Sequence, residues 1–591
     1  MNVVDEAALL VRLARWGITL ARHDIGFPSP VPDNPKFLSP RAAVRLIRDN
    51  DVVAVSGLGT HQRASILFWA LRDSFSQYGH PRRLTLINLG GHGSRGLLPG
   101  TLDELARPGL CTRLISGHFE TNHDFLALAA AGECELQCLP LGVIALLFEH
   151  LRHGHDSIVL RTGVGTFLDP RQGAGSAVTG RGEPLIVPTR GGLRFHLPPV
   201  DVALFNVPAA DRHGNLYIRD CVTVGDGLEL AHAAKRNGGR VIANVGRIVD
   251  EGYDRIFLPA RMVDAIAFHP DTEQTAGFFH RDPWKALTLT TAPSTEVGPG
   301  SRGGRSPAAV RTRTEIAGAL EQARFTRWLG ELTGGMSQRQ PIDEVLYRLA
   351  ALTLSENTPR GARVVIGAGL PEEVCRVVHE NGHLDRFTFM VETGVIGGLP
   401  APGIYFGASF APRQMLSPAA FFRQVYKGVD AACLGALEVD AAGNVNVSRR
   451  GAGIRQFAGP GGFTDFVTTA DTLVFICEWM RGGAIEIVGD QVRISRRGRP
   501  KFVSEVREVT FAAAPALRAG KRVFYVTPVG VFRLTKRGIE LCRVLPGIDI
   551  ERDIRGMAAM NILLPRGPVP QAPGGVVTGS GAERWLSDGA A

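Results

Sequence analysis

The sequence predicts an α/β protein built from two similar halves that a flexible linker joins. Short apolar runs rich in β-branched residues alternate with amphipathic stretches of helical length. A pair of aspartates ten residues apart, with Gly-Asn after the second, occurs once in each half. Each half also contains a strand that leads through a Gly-x-Gly turn into a helix. Together these observations predict a duplicated fold with largely parallel sheets.

The length and composition require more than one hydrophobic core. The chain has 591 residues, of which 44% are hydrophobic and 21% are charged, a globular composition that excludes overall disorder. Single cores stop growing beyond about 300 residues, so we expect two large domains.

Strand candidates recur in both halves with helical stretches between them. In the first half they are 52–56, 84–89, 157–161, 202–207 and 240–245. In the second half they are 363–366, 387–391, 431–434 and 472–477. Strands separated by helices pair in parallel, so each half is predicted to be an open α/β/α domain.

The repeated signature has a physical interpretation. In the first half, a buried strand near Asp201 runs into a turn at Asp211, and in the second half Asp430 and Asp440 take these places. Aspartate can hydrogen-bond to the backbone of its own turn, and the Gly-Asn that follows tolerates positive φ. The Gly-x-Gly turns are at Gly57 and Gly59 and at Gly367 and Gly369.

Changes in composition divide the chain into five segments. The two large domains are separated by a stretch rich in Gly, Pro, Ser and Arg, a composition that is typical of an interdomain linker. The segments are an N-terminal extension (1–37), an N-terminal domain (38–290), a linker (291–313), a C-terminal domain (314–565) and a flexible tail (566–591).

The charge is modest and scattered. Lys and Arg number 66 against 57 Asp and Glu, a net charge of +9 without a basic stripe. We therefore expect no nucleic-acid partner. The alternative, a nucleic-acid contact through the basic linker, would show itself as binding that weakens steeply with salt.

Cysteine usage and hydrophobicity predict a cytoplasmic protein without a membrane partner. The eight cysteines include one close pair, Cys134 and Cys138, which has no further ligands at zinc-like spacing. Reduced, mostly buried thiols and no metal site are expected. Apolar runs stay shorter than the roughly 18 residues of a membrane span, and the N-terminus lacks the pattern of a secretory signal.

The turn after the first strand of the second half is a candidate ligand site. Gly367, Gly369, Leu370 and Pro371 lead into a predicted helix that Gly382 closes. Free backbone N–H groups at such a helix start can hold a phosphate or an oxyanion. The Glu pair at 372 and 373 would discourage an anion, so a plain strand-to-helix connection stays an alternative.

Glu392 is the candidate catalytic residue. It follows the apolar strand 387–391 and opens a turn that contains Gly394, Gly397 and Gly398. Ligands of open α/β sheets bind at the carboxyl ends of strands, where a carboxylate can act as a nucleophile. The alternative is a solvated loop glutamate.

Two histidines in polar or Gly-rich loops, His92 and His118, invite an acid/base or metal role. Neither has a partner at the spacing of paired metal ligands.

The motifs Val-Glu-Thr-Gly-Val-Ile-Gly-Gly at 391–398 and Gly-Val-Gly-Thr-Phe-Leu-Asp-Pro-Arg at 163–171 resemble the family I CoA-transferases. The likeness is to the single-chain acyl-CoA:acetate/3-ketoacid (propionate-type) enzymes. It covers about residues 40 to 565 in order, including the segments 211–215, 367–372, 459–465 and 545–549.

This resemblance implies two homologous CoA-transferase domains with the active site between them and Glu392 as the catalytic glutamate. It implies a ping-pong reaction through a glutamyl-CoA thioester, with coenzyme A as substrate and covalent intermediate and no tightly bound cofactor or metal. The implied partners are acyl-CoA and small carboxylic acids of short-chain fatty acid and ketone body metabolism. Homodimers or homotetramers are usual in the family.

Matching positions imply further site residues. Gly367, Gly369, Leu370 and Pro371 would lie on CoA, and Gly461, Gly462 and Phe463 would supply backbone donors near the thioester. Gly165 and Thr166 would line the opposite wall.

Two departures from the family concern the acceptor acid. Leu141 stands where relatives commonly have a glutamine, and Ser409 stands where they often have an asparagine. Leucine cannot hydrogen-bond to a carboxylate, which makes a bulkier or more apolar acyl group plausible. Two alternatives stay open: an acyl-CoA hydrolase that uses the same glutamate, and a non-catalytic CoA or metabolite sensor on this scaffold.

Overall fold

The computed structural model describes residues 31–93, 99–270, 272–275, 278–279, 285–289 and 339–581, with residues 11, 14, 25–26, 324 and 327–328. The predicted linker 291–313 and most of the extension 1–37 lie outside the described residues. The boundaries drawn around these two segments therefore stay predictions.

A mostly parallel sheet forms the centre of the first half. The strand Val202–Asp211 is buried at every position, as expected for a central strand covered on both faces. The short strand Leu216–Tyr217 pairs with it in antiparallel fashion. The parallel strands, in spatial order, are Ala265–Phe268, Arg240–Val249, Val202–Asp211, Val52–Val55, Leu84–Ile87, Cys111–Ser116 and Glu135–Cys138.

Helices cover this sheet and connect its strands. They are Pro40–Val44, Ser65–Tyr78, His123–Ala130, Leu141–His153 and Gly227–Arg236. The predicted strand at 157–161 is present as Ser157–Leu160, but it belongs to a separate antiparallel sheet with Gly192–His196 and Ile186–Thr189. A hairpin, Glu273–Thr275 with Phe278–Phe279, follows the main sheet.

The second half contains a nine-stranded sheet with antiparallel edges. Its parallel centre includes all four predicted strands of this half, whereas the edge hairpins gave no comparable signal in the sequence. The strands, in spatial order, are Gln414–Met415, Val395–Ile396, Phe387–Val391, Ala362–Ile366, Val429–Gly435, Ala470–Ile476, Arg522–Thr527, Gly530–Thr535 and Gly538–Val544.

Helices and short ribbons complete the second half. The helices are Pro341–Glu356, Leu370–Glu380, Pro418–Val425, Phe463–Thr469, Ala513–Arg518 and Gly574–Thr578, with a π-helical turn at Ile550–Arg555. The ribbons are Leu399–Pro400 with Ser409–Phe410, Glu438–Asp440 with Val445–Asn446 and Phe502–Val503, Met480–Arg481 with Arg499–Pro500, and Ala484–Val488 with Gln491–Arg496.

The two sheets share one order over five parallel strands, as the predicted duplication requires, whereas the strands beyond these five differ. The first strand of each half, Val52–Val55 or Ala362–Ile366, lies between the second strand and the long strand that carries the aspartate signature. The turn after the second aspartate also repeats its hydrogen bonds, although Asp211 ends the long strand Val202–Asp211 whereas Asp440 ends the separate short strand Glu438–Asp440. Asp211 accepts bonds from the Asn215 amide and side chain, and Asp440 accepts the same two bonds from Asn444.

Residues 566–581 differ from the predicted flexible tail. The helix Gly574–Thr578 buries Val576 and Val577, and the Arg348 side chain donates to both of their carbonyl oxygens at 3.3 and 3.1 Å. The free energy gained by burying two valines offsets the entropy cost of ordering this short segment. The Pro and Gly content of the sequence does not indicate this burial. Residues 582–591 lie outside the described part of the chain.

The eight cysteines are free thiols, seven of them buried, in agreement with the prediction. Within the described residues, no helix has the length and apolar character needed to cross a membrane.

Replacement of Asp440 by Ala should lower the free energy of unfolding by about 2–3 kcal/mol, because the buried turn loses the acceptor that satisfies its amides. Urea titration monitored by circular dichroism measures this loss. Asp471, which is exposed, supplies the control, and Asp471→Ala should change stability by less than about 0.5 kcal/mol. Equal effects of the two substitutions would contradict the structural role of the signature.

Candidate active site

The carboxyl edges of the two sheets face each other across a cleft of about 410 Å³. Each edge contributes the segments that follow its parallel strands, which is where open α/β sheets bind ligands. The first half contributes residues 58–60, 90–91, 118, 120–121 and 141, and the second half contributes 367–370, 392, 403, 406, 434–437, 447, 450, 459–463, 466, 478 and 501.

Glu392 lies at the tip of a tight hairpin between Phe387–Val391 and Val395–Ile396. The Gly394 amide closes the turn with a 2.9 Å hydrogen bond to the Val391 carbonyl oxygen. A Cβ at Gly394 would lie 2.1 Å from the Leu416 carbonyl oxygen, so only glycine fits there. The hairpin holds the half-buried Glu392 at the wall of the cleft, at the position that the sequence predicted.

The segment Gly461–Gly462 packs directly against the Glu392 carboxylate. A Cβ at Gly462 would lie 2.8 Å from Glu392 Oε2, which is too close for a side chain. The glycine backbone therefore lies directly next to the carboxylate. The first domain holds this segment in place. The Gly461 amide donates to the Gly117 carbonyl oxygen at 2.8 Å, and the Leu141 amide donates to the Gly461 carbonyl oxygen at 3.0 Å.

The predicted backbone donors differ in availability. All three residues, Gly461, Gly462 and Phe463, line the cleft. The Gly461 N–H is bonded to Gly117, however, and the Phe463 N–H donates to the Pro460 carbonyl oxygen at 3.0 Å. The Gly462 N–H makes no such bond with the described backbone, so it is the candidate donor of the three.

The turn before the helix Leu370–Glu380 does not form an anion site. Gly367, Gly369 and Leu370 line the cleft, as predicted, whereas Pro371 is buried and does not. The buried Glu372 carboxylate accepts 2.6 Å hydrogen bonds from the Gly369 and Gly403 amides. Because a carboxylate of the chain already occupies these donors, the turn offers a ligand close backbone contact rather than a phosphate cradle.

The predicted opposite wall is instead a joint between the domains. Gly165 and Thr166 do not line the cleft. Gly165 faces the second domain, since a Cβ there would lie 3.4 Å from the Ala512 Cβ. The Phe167 amide donates to the Val509 carbonyl oxygen at 2.8 Å. The lining of the cleft therefore does not include the predicted substrate contact at Gly165 and Thr166, because this segment packs against the second domain.

The two departures from the family pattern lie in different places. Leu141 lines the cleft beside Gly461. Ser409 is buried in the strand that pairs with Leu399–Pro400 and does not reach the cleft. Of these two residues, only Leu141 is placed to contact an acyl group.

The two histidines that the sequence singled out are placed differently. His92 is buried away from the cleft, and burial lowers its pKa to about 3. It packs beside Gly57, where a Cβ would lie 2.5 Å from His92 Cε1. His118 lines the cleft, with its Nε2 3.8 Å from Glu120 Oε2. The described residues contain no group of three or more potential metal ligands.

His61 joins the first domain to the segment beside the Glu392 turn, a role that no sequence spacing indicated. Its Nε2 lies 2.8 Å from the Phe406 carbonyl oxygen, and burial lowers its pKa to about 4. The ring is therefore neutral and donates to that carbonyl. The Gly407 carbonyl oxygen, one residue on, accepts a hydrogen bond from the Thr393 hydroxyl.

Ion pairs line the cleft at two places. Arg450 of the second half pairs with Glu120 of the first half. Lys501 Nζ lies 2.6 Å from Glu478 Oε2. Together they place two cations in a cleft that is otherwise mostly apolar and glycine-lined.

Asp465 forms a hydrogen-bonded network behind the Gly461–Gly462 segment. Its carboxyl group accepts bonds from the Tyr426 hydroxyl at 2.7 Å and from the Gly142 amide at 2.9 Å. The Tyr426 hydroxyl also lies 2.7 Å from the Thr162 hydroxyl. Burial raises the pKa of Asp465 to about 7, the two hydrogen bonds oppose the rise, and the charge of Glu392 adds to it.

Residues 37–268 match the coenzyme A transferase family. The chain is 29% identical to the caffeate CoA-transferase of Acetobacterium woodii over 538 residues, which cover 88% of this chain and 93% of the relative. It is 28% identical to the acetate CoA-transferase YdiF of Escherichia coli K12 over 532 residues, 88% of this chain and 90% of the relative.

The fold is also that of a solved structure. The thioester complex of YdiF from Escherichia coli O157:H7 with CoA superposes with a TM-score of 0.77 and 24% identity, covering 94% of this chain and 99% of that chain. The superposition shows a shared fold over nearly the whole of both chains. The family match in the first half and the two relatives, each aligned over 88% of this chain, support a CoA-transferase enzyme.

Proposed function

We propose that this enzyme moves CoA from an acyl-CoA to a carboxylic acid through a glutamyl-CoA thioester on Glu392. The observation that carries this proposal is the position of Glu392 at the end of a central strand, in the cleft between the domains, with Gly462 against its carboxylate. A carboxylate held in this way can attack a thioester.

The steps conserve atoms and charge. A Glu392 oxygen attacks the acyl carbonyl carbon, the acyl C–S bond breaks, and an acyl-glutamyl anhydride and CoA thiolate result. The thiolate then attacks the glutamyl carbonyl carbon, which releases the first acid as its carboxylate and leaves Glu392 as a thioester of CoA. A second carboxylate reverses both steps, so Glu392 is regenerated and a new acyl-CoA leaves.

The cleft supports these steps in two ways: it orients the reacting groups, and it offers a backbone N–H donor beside them. A carboxylate is a weak nucleophile in water, so the reaction needs a site that orients both partners and excludes solvent. The Gly462 N–H is the candidate donor to the oxyanion that develops on the attacked carbonyl. The neutral His61 and the Thr393 hydroxyl hold the segment that flanks the Glu392 hairpin.

CoA is proposed to lie along the turn Gly367–Leu370, with Arg450 and Lys501 as the cations nearest its charged groups. Coenzyme A is then substrate and covalent intermediate, and no tightly bound cofactor is required. The thioester complex of YdiF with CoA supports this assignment by its fold.

The acid is proposed to carry an apolar group. Leu141, Leu58 and Phe463 present apolar side chains to the cleft beside the Gly461–Gly462 segment. The two relatives are named for acetate and for caffeate, so the acids tested as acceptors should include small and aromatic ones.

No specific observation favours the acyl-CoA hydrolase or the non-catalytic sensor. Cytoplasmic location and assembly as a homodimer or homotetramer stay predictions.

Replacement of Glu392 by Gln should reduce turnover by about a thousandfold or more, because the amide cannot form the anhydride. Intact-protein mass spectrometry after mixing with a panel of acyl-CoAs without acceptor should show a CoA adduct on the wild type. Peptide mapping should place it at Glu392, and the variant should show none. An adduct at another residue, or full turnover by Glu392→Gln, would overturn the proposal.

Gly462→Ala should lower kcat by about a hundredfold, since the added Cβ meets Glu392 Oε2 and the Phe466 ring, each at 2.8 Å. The matched control is Gly453→Ala, where a Cβ meets no atom within 4 Å and φ is −83°. Steady-state kinetics of both variants checks this. A Gly462→Ala enzyme as active as the control would show that the close approach has no part in catalysis.

His61→Ala should lower kcat by about tenfold with a smaller change in KM, because the segment beside the Glu392 hairpin loses its support from the first domain. His61→Gln, which keeps a donor near the Phe406 carbonyl, should restore part of the rate. Since the pKa of His61 is about 4, neither variant should alter the shape of the pH–rate profile above about pH 5.5. A loss confined to KM would place His61 in binding instead.

A further inference from the structure

A second buried carboxyl group, Asp465, lies at the junction beside Glu392, and the mechanism above does not use it. Asp465 is fully buried in the short helix Phe463–Thr469. Its two oxygens accept the hydrogen bonds from Tyr426 and from Gly142, which lies in the first turn of the helix Leu141–His153 of the first domain. These bonds allow it to be ionised despite burial.

Glu392 and Asp465 contact the same junction between the domains. Gly462 lies against Glu392, since a Cβ there would be 2.8 Å from Oε2. Gly142 lies against Asp465, since a Cβ there would be 2.7 Å from Asp465 Cγ. The bond from the Leu141 amide to the Gly461 carbonyl joins these two glycine segments. The two carboxyl groups therefore flank one junction of glycine backbone, and the like charge of Glu392 contributes to raising the pKa of Asp465.

We propose that Asp465 acts through Glu392 as a positioning residue, whose negative charge opposes the ionised Glu392 and favours its conversion into the uncharged glutamyl-CoA thioester. This inference rests on the proposed function. The groups that set the charge of Asp465 are consistent with it: burial and, less strongly, Glu392 raise its pKa, and the bonds from Tyr426 and Gly142 and a backbone hydrogen bond of its own helix lower it.

Asp465 favours the thioester because the negative charge of Glu392 leaves the site during the reaction. In the exchange of Glu392 carboxylate with an acyl-CoA, the acyl C–S bond breaks, a glutamyl C–S bond forms, and the negative charge leaves with the released acid. Repulsion between Glu392 and Asp465 is present only before this exchange, so it drives the equilibrium toward the thioester. By linkage, thioester formation lowers the pKa of Asp465.

The sign of the pH dependence is set by this linkage. Asp465 has a pKa of about 7 beside ionised Glu392 and a lower one beside the thioester. The thioester form binds fewer protons in the interval between the two values. The ratio of thioester to free Glu392 should therefore rise with pH in that interval and level off above about pH 7.

The test compares wild type with Asp465→Asn. Asparagine keeps the shape and can accept from the Gly142 amide and donate to the Tyr426 oxygen, whose hydroxyl can turn to Thr162. Each enzyme is equilibrated with one acyl-CoA and its own free acid at a fixed ratio. Quenching and intact-protein mass spectrometry then give the ratio of thioester to free enzyme from pH 5.5 to 8.5.

At about pH 8 the ratio should be roughly threefold to tenfold lower in Asp465→Asn than in wild type. The difference should shrink as the pH falls, and the variant should show no pH dependence. The control Thr162→Val removes the hydroxyl at the far end of the network without changing the charge, and it should leave the ratio unchanged. Tyr426→Phe removes a bond that lowers the pKa of Asp465, so it should move the rise in the ratio to higher pH.

Equal ratios in wild type and Asp465→Asn, with or without slower exchange, would overturn the inference, because removal of a charge that acts on Glu392 must change this equilibrium. If Asp465→Asn does not fold, an unmoved pH dependence in Tyr426→Phe overturns it equally. If wild type forms no CoA adduct with any acyl-CoA, the proposed function itself fails. This result differs from an adduct that forms to the same extent in wild type and in Asp465→Asn, which overturns only the inference about Asp465.

Discussion

The active cleft depends on the contact that joins the Gly461–Gly462 segment to the first domain. The amide of Gly461 and the amide of Leu141 form hydrogen bonds in opposite directions across this contact, to Gly117 and to Gly461. They hold the backbone of the second domain against Glu392 while anchoring it in the first. Separation of the domains would remove both the wall of the cleft and the candidate oxyanion donor at once.

Glycine makes this contact possible. The approach of Gly462 to Glu392 leaves no room for a side chain, and the same is true of Gly142 beside Asp465 and of Gly394 in the hairpin. Close approach brings a polar backbone to the reacting group without the entropy of a mobile side chain. The cost is that a side chain at any of these three positions would clash with its neighbours and disturb the junction.

The charges in the cleft divide into two classes. Arg450 and Lys501 sit in ion pairs with Glu120 and Glu478 that a charged ligand can rearrange. Asp465 accepts its two hydrogen bonds from neutral donors, Tyr426 and Gly142, and its proposed role is to act on Glu392 through its charge. The ion-paired cations are suited to binding a charged ligand. The buried carboxyl group of Asp465 is suited to influencing the equilibrium between free Glu392 and its thioester.

By itself, the sequence determined the α/β class, the duplication and the place of Glu392, because alternating apolar runs and Gly-rich turns are local patterns that backbone geometry enforces. The resemblance to the family, rather than a local pattern, implied that the segment Gly461–Phe463 belongs to the site, and this segment lines the cleft together with the turn Gly367–Leu370. Only the tertiary structure decided which backbone amides already have hydrogen-bond partners and that Gly165 and Phe167 contact the second domain at Ala512 and Val509. It also decided that His61 and Asp465 support the walls of the cleft from outside its lining. These facts depend on contacts between residues hundreds of positions apart, and a hydrogen bond made across domains leaves no periodicity in the chain.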